Sequence, residues 1–195
     1  MAAHDCPTEI VSIANEKQAL RTTIKARIAA IPNADKAPAG TAINHRIGEI
    51  CQSHENILLF SPLPDEPAIG DLFDLGSLVC LPRYLLSSES YEAAVIADPA
   101  KDLITGKFGI LEPKPQCKSL SLKHLDLVLV PGVAFAPCGA RLGRGRGFYD
   151  RILKSASGRK IGVAFDEQIV EAIPSEAHDE RVDGIITPTR WIEVG

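Results

Sequence analysis

Short apolar runs that alternate with helical segments constrain the fold of this chain more than any other feature. Runs of four to six mostly apolar residues occur at 57–60, 78–81, 125–130, 160–165 and 184–187. Runs of this length are typical of buried strands, and helical segments between them favour a largely parallel sheet. We therefore predict an α/β fold in a single domain that covers residues 1–195.

The N-terminal quarter of the chain has helical periodicity instead. Apolar residues recur three or four positions apart, which predicts a helix over 15–31 and a second one over about 39–53. We expect these two helices to form an amphipathic N-terminal hairpin. Further helices are predicted over about 68–73 and 148–157. The residues that carry the first two patterns are Leu20, Ile24, Ile28 and Ile31, then Ile43, Ile47 and Ile50.

Charge and cysteine content exclude several classes of protein. The formal net charge of −4 argues against a nucleic-acid binder that relies on overall basicity. The five cysteines, at positions 6, 51, 80, 117 and 138, include no C-x-x-C pair, so neither a disulfide framework nor a zinc site is indicated. Cys80 is expected in the core and Cys138 in an exposed loop. With no signal peptide and no membrane-length apolar run, we expect a cytoplasmic protein without nucleic-acid or membrane partners.

The segment from 127 to 153 carries the strongest chemical signal. It is predicted to run strand, loop, helix, and ligands of parallel α/β sheets bind beyond the carboxyl ends of strands. In the loop, Gly143, Gly145 and Gly147 alternate with Arg144 and Arg146. Glycines let backbone N–H groups approach a ligand, arginines donate to phosphate oxygens, and the following helix adds its positive end. The loop is therefore a candidate polyphosphate cradle.

Other interpretations of this loop stay open at this point. A Gly/Arg loop can be a solvated turn, and this one has neither a Walker sequence nor a dinucleotide fingerprint. Its shortness and its apolar flanks disfavour an RNA-binding tract. Asp150, in the first turn of the predicted helix, could complement the helix dipole or hold a metal ion. Tyr149 could belong to the core or stack on a ligand.

Several segments together resemble one family. Leu142-Gly-Arg-Gly-Arg-Gly-Phe-Tyr-Asp150 resembles the signature of the 5-formyltetrahydrofolate cyclo-ligases, and the strand segment 126–135 before it is similar as well. Four further segments resemble family motifs, in the family's order and across nearly the whole chain. These are Lys17-Gln-Ala-Leu-Arg21, the turn at 108–113, Gly162-Val-Ala-Phe165, and His178 to Asp183 with the following 185–187.

The resemblance implies both a fold and an activity. The fold would be a three-layer sandwich with a mostly parallel sheet, similar to isomerase and CoA-transferase folds. The activity would be ATP-dependent cyclisation of 5-formyltetrahydrofolate to 5,10-methenyltetrahydrofolate by a monomer, with Mg²⁺ as cofactor. In this chemistry the formyl oxygen attacks the γ-phosphate of ATP, and N10 then displaces phosphate from the activated carbon. Positioning and charge neutralisation would supply most of the catalysis.

The resemblance also assigns residues to roles. Lys17 and Arg144 would be catalytic, and Asp150 and Asp183 would bind magnesium. Folate would contact Ser61, Glu66, Arg144 and Phe148. ATP would contact Lys17, Arg21, Arg141, Leu142, Gly143, Arg144, Gly145, Arg146, Gly147, Phe148 and Tyr149. Without the resemblance, Lys17 and Arg21 would be read as a solvated helix face and Asp183 as a strand-edge residue.

Two departures from the family pattern and two alternative functions accompany these assignments. Phe148 replaces a tyrosine, and Pro67, Ala68 and Ile69 stand where the family often has an acidic residue and a threonine. The first alternative is a relative of sugar-phosphate isomerases or CoA-transferases, which needs no ATP. The second is a folate- or nucleotide-binding protein without turnover.

Overall fold

The computed structural model describes residues 8–70, 72–74, 76–106 and 109–195. Its helices are α1 (Thr8–Ala30), α2 (Asn33–Cys51), α3 (Pro99–Asp102) and α4 (Phe148–Ser155), and three short 3₁₀ turns cover Leu72–Asp74, Leu122–His124 and Asp166–Gln168. The first six strands are β1 (Asn56–Leu58), β2 (Leu78–Leu85), β3 (Ser90–Val95), β4 (Leu103–Thr105), β5 (Leu111–Pro113) and β6 (Ser119–Leu120). The remaining strands are β7 (Leu127–Pro131), β8 (Ala134–Phe135), β9 (Arg141–Leu142), β10 (Arg159–Val163), β11 (Gly184–Ile186) and β12 (Trp191–Glu193).

One large sheet organises the described part of the chain. Its strand order is β12-β11-β10-β7-β1-β2-β3-β6. The five central strands, from β11 to β2, run parallel to one another, whereas β12, β3 and β6 pair antiparallel at the two sides. The predicted α/β fold with a mostly parallel sheet is thus confirmed. Of these antiparallel strands, β3 and β6 come from the region 82–123, whose sequence has no clear periodic pattern, and β12 comes from the end of the chain.

Alternating side chains of the central strands cover both faces of the sheet. In β7, Leu127 and Leu129 pack in one apolar cluster with Ile43 and Ile47 of α2. Val128 and Val130 lie in a second cluster with residues of α4, among them Leu153. Because a sheet buried on both faces needs apolar residues at consecutive positions, the continuous apolar run of β7 has a direct structural cause. Helix α2, the sheet and α4 form three layers.

Both N-terminal helices exist, but they serve different parts of the fold. Ile24 and Ile28 of α1 pack against Val133, Leu142 and Phe165, in the loops beyond the carboxyl ends of β7 and β10. Helix α2 covers the sheet. The expected simple hairpin is therefore corrected to one helix on the sheet and one helix on the loops above it.

Some predicted boundaries differ from the structure. Helix α2 starts at Asn33, six residues before the predicted start, and continues through Pro38 even though a proline inside a helix removes one backbone hydrogen bond. The helix predicted over 68–73 is reduced to the 3₁₀ turn Leu72–Asp74, and Asp71 lies outside the described residues.

Cys80 is buried and Cys138 is exposed, as expected, while Cys6 lies outside the described residues. Among the described helices, none is both long enough and apolar enough to cross a membrane.

Candidate functional site

A cleft of about 760 Å³ opens where α1, the loop after β9, the start of α4 and the segment 176–180 meet. The loop follows the strand pair β8–β9, which itself follows β7, so the cleft lies beyond the carboxyl ends of the parallel strands, where such folds bind ligands. Its lining is strongly charged. The cations are Lys17, Arg21, Arg141, Arg146, Arg151 and Lys154, and the acidic residues are Asp150, Glu176, Asp179 and Glu180.

Lys17 is held at one wall of the cleft by two carboxylates. Its Nζ donates to Glu176 Oε2 at 2.7 Å and to Asp179 Oδ2 at 2.6 Å, and the residue is only 7% exposed. Burial lowers the pKa of Lys17, but hydrogen bonds and charge from Asp179 and Glu176 outweigh burial, so the pKa is raised. For Asp179, burial raises the pKa, and the Lys17 ammonium together with the Glu176 backbone N–H outweighs it, so the pKa is lowered. Both groups are therefore charged at neutral pH.

Arg21 ties α1 to the Gly/Arg loop. Its Nε donates to the carbonyl oxygen of Gly143 at 2.9 Å. Gly145 and Gly147 have φ values of 91° and 64°, in the left-handed region that other residues adopt only at a cost. Lys17 and Arg21 are one helical turn apart, and both line the same cleft. The structure therefore brings these two residues and the loop together, as the sequence predicted.

Arg141 fastens the first turn of α4 to the end of β7. Its Nη2 donates to Asp150 Oδ1 at 2.7 Å and its Nη1 to the Pro131 carbonyl at 3.3 Å. The Arg141 side chain is buried, and its Nε has no hydrogen-bond partner among the described residues. The guanidinium carbon lies 5.9 Å from the centre of the Tyr149 ring. The ion pair with Arg141 orients the carboxylate of Asp150, which lines the cleft.

Tyr149 faces the interior rather than the cleft. It packs against the apolar clusters on both faces of the sheet and is not among the residues that line the cleft. Burial raises the pKa of its phenol. Of the two interpretations left open by the sequence, the structure supports the core residue.

Arg144 is not among the residues that line the cleft. Its Nη1 and Nη2 donate to the two carboxylate oxygens of Asp65 at 3.1 and 2.6 Å. Its Nε and Nη2 also donate to Glu66 Oε1 at 3.1 and 2.9 Å. The Glu66 side chain is 6% exposed, and its Oε2 accepts the backbone N–H of Leu63 at 2.9 Å. Arg144 and Glu66, both predicted to contact folate, are thus in direct contact with each other.

The two other predicted folate contacts occupy separate positions. Phe148, at the start of α4, is 44% exposed and lies edge-on to Tyr91, with ring centres 5.9 Å apart. Tyr91 contacts Tyr84 in turn, with ring centres 5.0 Å apart. The Ser61 hydroxyl donates to the carbonyl oxygen of Leu111.

Asp183 does not join Asp150. It comes directly before β11, at the amino ends of the parallel strands, and its Oδ2 accepts the backbone N–H of Lys160 at 2.8 Å. Arg141 binds both Asp150 and the carbonyl oxygen of Pro131, and Pro131 pairs with Val163 at the other end of β10. Asp150 therefore lies toward that other end. Three residues of strand span about 10 Å, and Asp150 lines the cleft whereas Asp183 does not. The structure therefore favours Asp150 over Asp183 as a residue of the cleft, and magnesium binding by either residue stays a prediction.

Sequence reasoning missed several residues of the cleft. Glu176, His178 and Asp179 offer ligand atoms that all lie within 4.8 Å of one another, a spacing that could hold a metal ion. Arg151 and Lys154, on α4, also line the cleft. Three acidic residues and a histidine lie within 176–180, which overlaps the motif from His178 to Asp183, and this density was the available signal for the acidic group.

Together the fold and the cleft define an α/β protein with a cationic site at the carboxyl ends of its parallel strands, flanked by carboxylates suited to a metal ion. Comparison with known families is more specific. The sequence model of the 5-formyltetrahydrofolate cyclo-ligase family matches residues 13–188, and the chain belongs to this family.

Individual relatives agree with this assignment. The chain is 30% identical to the 5-formyltetrahydrofolate cyclo-ligase of Mycolicibacterium smegmatis over 190 residues, which cover 90% of this chain and 95% of the relative. It is 28% identical to the mouse enzyme of that name, with the same coverage. It is also similar to the solved 5,10-methenyltetrahydrofolate synthetase of Aquifex aeolicus, with a TM-score of 0.81, 27% identity and coverage of 91% and 92%. The Mycoplasma pneumoniae synthetase, at 21% identity, 89% and 99% coverage and a TM-score of 0.70, shows the same fold.

Proposed function

We propose that this protein is a 5-formyltetrahydrofolate cyclo-ligase that converts 5-formyltetrahydrofolate and ATP to 5,10-methenyltetrahydrofolate, ADP and phosphate. Family membership and the named relatives support the activity. The observation that carries its mechanism is the two-sided Gly/Arg loop. Lys17 and Arg21 line the cleft, and Arg144 of the same loop binds Glu66 outside the cleft lining. A loop that borders two adjoining subsites suits a phosphoryl transfer in which the reacting atoms of the two bound substrates must meet.

ATP would occupy the cleft. Lys17, Arg21 and Arg146 would neutralise its phosphates, and backbone N–H groups of the Gly143–Gly147 loop would donate to phosphate oxygens. Arg141 would hold Asp150 and Pro131 with two of its five N–H donors, and its remaining donors would be available to ATP, since Arg141 also lines the cleft. Of the remaining residues predicted to contact ATP, Leu142 would shape the wall of the cleft, whereas Phe148 and Tyr149 do not line it.

Magnesium would enter with ATP, and the donor set of the cleft fits it. Mg²⁺ prefers carboxylate and phosphate oxygens and keeps several waters. Asp150 and Asp179 both line the cleft, so we propose this pair in place of Asp150 and Asp183. The ion would neutralise charge on the phosphate oxygens. Arg141 holds one oxygen of Asp150 and thereby leaves the other oxygen for the ion.

The folate would lie next to the ATP cleft, beside Glu66 and Phe148, so that its formyl oxygen reaches the γ-phosphate. The exposed ring of Phe148, beside Tyr91, offers an aromatic surface for the pterin or the aminobenzoyl group. Glu66 would accept pterin N–H groups, since each carboxylate oxygen can accept more than one hydrogen bond. Ser61 lies five residues before Glu66 in the same loop.

The chemical step would be a phosphoryl transfer followed by ring closure. The N5-formyl oxygen attacks the γ-phosphorus, the bond to the bridging oxygen breaks, and ADP leaves. N10 then attacks the activated formyl carbon, phosphate leaves with the former formyl oxygen, and N10 loses its proton. Lys17, on the ATP side, and Arg144, on the folate side, would stabilise the negative charge that is transferred.

A spectroscopic assay tests this proposal. Purified protein with ATP, Mg²⁺ and 5-formyltetrahydrofolate should produce the near-ultraviolet absorbance of the methenyl product. Thermal stability should rise with MgATP, because a ligand that binds only the folded state stabilises it. A folded protein that forms no product, or that ATP does not stabilise, would contradict the proposal.

We also propose a fold of the isomerase and CoA-transferase type, which the three layers support. The free thiols of the described cysteines support a cytoplasmic location.

A further inference from the structure

Asp65 shares the Arg144 guanidinium equally with Glu66, and the proposed reaction does not use Asp65 directly. The pair of Asp65 and Arg144 is bidentate, with both carboxylate oxygens engaged, and joins residues 79 positions apart. Arg144 has five N–H donors, of which two go to Asp65 and two to Glu66. One donor on Nη1 therefore remains for any other partner.

The loop around Asp65 is built to keep this geometry. Pro64 and Pro67 flank Asp65 and Glu66 and restrict the backbone on both sides. Glu66 is fixed in addition by the Leu63 N–H. A bidentate pair between arginine and a carboxylate sets the orientation of the guanidinium plane as well as its distance. Asp65 therefore determines which way Arg144 points.

The charges indicate what would happen without Asp65. Two carboxylates and one guanidinium give this cluster a net charge of −1, to which Lys25 of α1 adds a positive charge close to Asp65, and cations outnumber carboxylates in the lining of the cleft. A polyphosphate in the cleft would attract Arg144 toward itself. Arg144 stays beside Glu66 because Asp65 supplies the second carboxylate.

We infer that Asp65 is a positioning residue that keeps Arg144 at the folate subsite beside Glu66, where the guanidinium meets the phosphoryl group as it is transferred to the folate, instead of letting it turn into the ATP site beforehand. This inference rests on the proposed function. It makes Asp65 a determinant of folate affinity through Arg144, although Asp65 itself need not touch either substrate.

The test is a comparison of the KM values of both substrates in Asp65→Asn. The variant should raise the KM for 5-formyltetrahydrofolate about threefold to tenfold, a moderate effect because the pair is partly exposed. The KM for ATP should stay unchanged or fall, because Arg144 becomes free to bind phosphate. Asp65→Glu restores the charge on a longer side chain and should recover part of the folate affinity. A partial loss of folded protein would lower kcat through the smaller active fraction and would leave both KM values unchanged.

A double-mutant cycle shows whether Asp65 acts through Arg144. In an Arg144→Ala background, Asp65→Asn should cause no further change in the folate KM. Glu193→Gln is the matched control, because it breaks the Arg159–Glu193 ion pair at the far side of the sheet and should change neither KM. Equal increases in both KM values, or an undiminished effect without Arg144, would overturn the inference. A wild-type protein that forms no methenyl product would instead remove the proposed function itself.

Discussion

Lys17 Nζ and Asp179 Oδ2 lie 2.6 Å apart although 162 residues separate them in the chain. One belongs to the first helix and the other to a loop near the C-terminal end, so their contact joins two sides of the cleft. Because both side chains are largely buried, the pair affects stability as well as the site. Its titration provides a direct physical test.

The acid stability of the protein should depend on Asp179. A depressed pKa in the folded state means that the carboxylate contributes stability above about pH 4, the ordinary value for aspartate, and loses it as pH falls through the folded-state pKa. Asp179→Asn should reduce the free energy of unfolding by about 1–3 kcal/mol at pH 7 and flatten the acid limb. Urea denaturation between pH 3 and 7 measures both effects.

Glu176→Gln is the control for this experiment, since it keeps the contact between Lys17 and Asp179 and should keep the acid limb. At alkaline pH the raised pKa of Lys17 makes the free energy of unfolding fall as pH rises. Its contribution is complete below about pH 10 and is lost as pH rises through the folded-state value. An Asp179→Asn variant with the wild-type acid slope would show that the ion pair does not stabilise the fold.

Asp150 and Asp183 should respond differently to loss of charge. Asp150→Asn removes a carboxylate from the cleft and should raise the magnesium concentration needed for half-maximal activity. Asp183→Asn weakens the bond to the Lys160 N–H, so it should lower stability by about 0.5–1.5 kcal/mol without changing the magnesium requirement. Magnesium titrations of activity and thermal melts measure the two properties. A raised magnesium requirement in Asp183→Asn alone would reverse the proposed metal site.

Arg144 should be essential for efficient turnover. Arg144→Ala removes charge-assisted hydrogen bonds worth about 1.5–3 kcal/mol, so kcat/KM should fall roughly ten- to a hundredfold. Arg144→Lys should recover only part of the loss, because an ammonium cannot reproduce the fork that binds Asp65. Arg181→Ala, a change at another exposed arginine, is the control. Full activity in Arg144→Ala would exclude a catalytic role.

Glu66 should control folate binding without affecting ATP. In Glu66→Gln the amide NH₂ must face either the Leu63 N–H or the Arg144 guanidinium, and both of these groups are donors. The cost of about 1–3 kcal/mol for an unpaired buried group should appear as weaker folate binding. Isothermal titration with each ligand separately measures this, and a thermal melt shows how much of the cost falls on the fold. Unchanged folate affinity, or equal losses for both ligands, would place Glu66 outside the site.

The sequence predicted the parallel centre of the fold because consecutive apolar residues have few other structural explanations. The run at Leu127–Pro131 and the helix that begins at Phe148 are found in the structure close to the predicted positions. Strand β2 was predicted to end at Leu81 but continues through Pro82 to Leu85. A proline is rare inside a paired strand, so the local signal pointed to an end there. Tertiary pairing with β3 overrides it.

The site was predictable where its residues are local and unpredictable where it depends on distant loops. Lys17 and Arg21 share one helix face, and the Gly/Arg loop follows a strand, so both features were visible in the sequence. The contacts of Arg144 with Asp65 bring together two loops with no periodic pattern. Asp183 differs from both cases, because a residue directly before a parallel strand lies at the amino end of the sheet, away from the ligand side. The position of Asp183 directly before a predicted strand was therefore enough to predict where it lies.

The two outermost strands of the large sheet are short, and this has a consequence beyond catalysis. Strand β6 has two residues and β12 has three. Unpaired N–H and C=O groups at a sheet edge can recruit a strand from another molecule, and a long flat edge does so most readily. Strand β12 covers all three residues of β11 and presents an edge of only three residues, whereas β6 pairs with two of the six residues of β3. We therefore expect the β12 side to offer little to a foreign strand, so that any strand addition takes place at the uncovered part of β3.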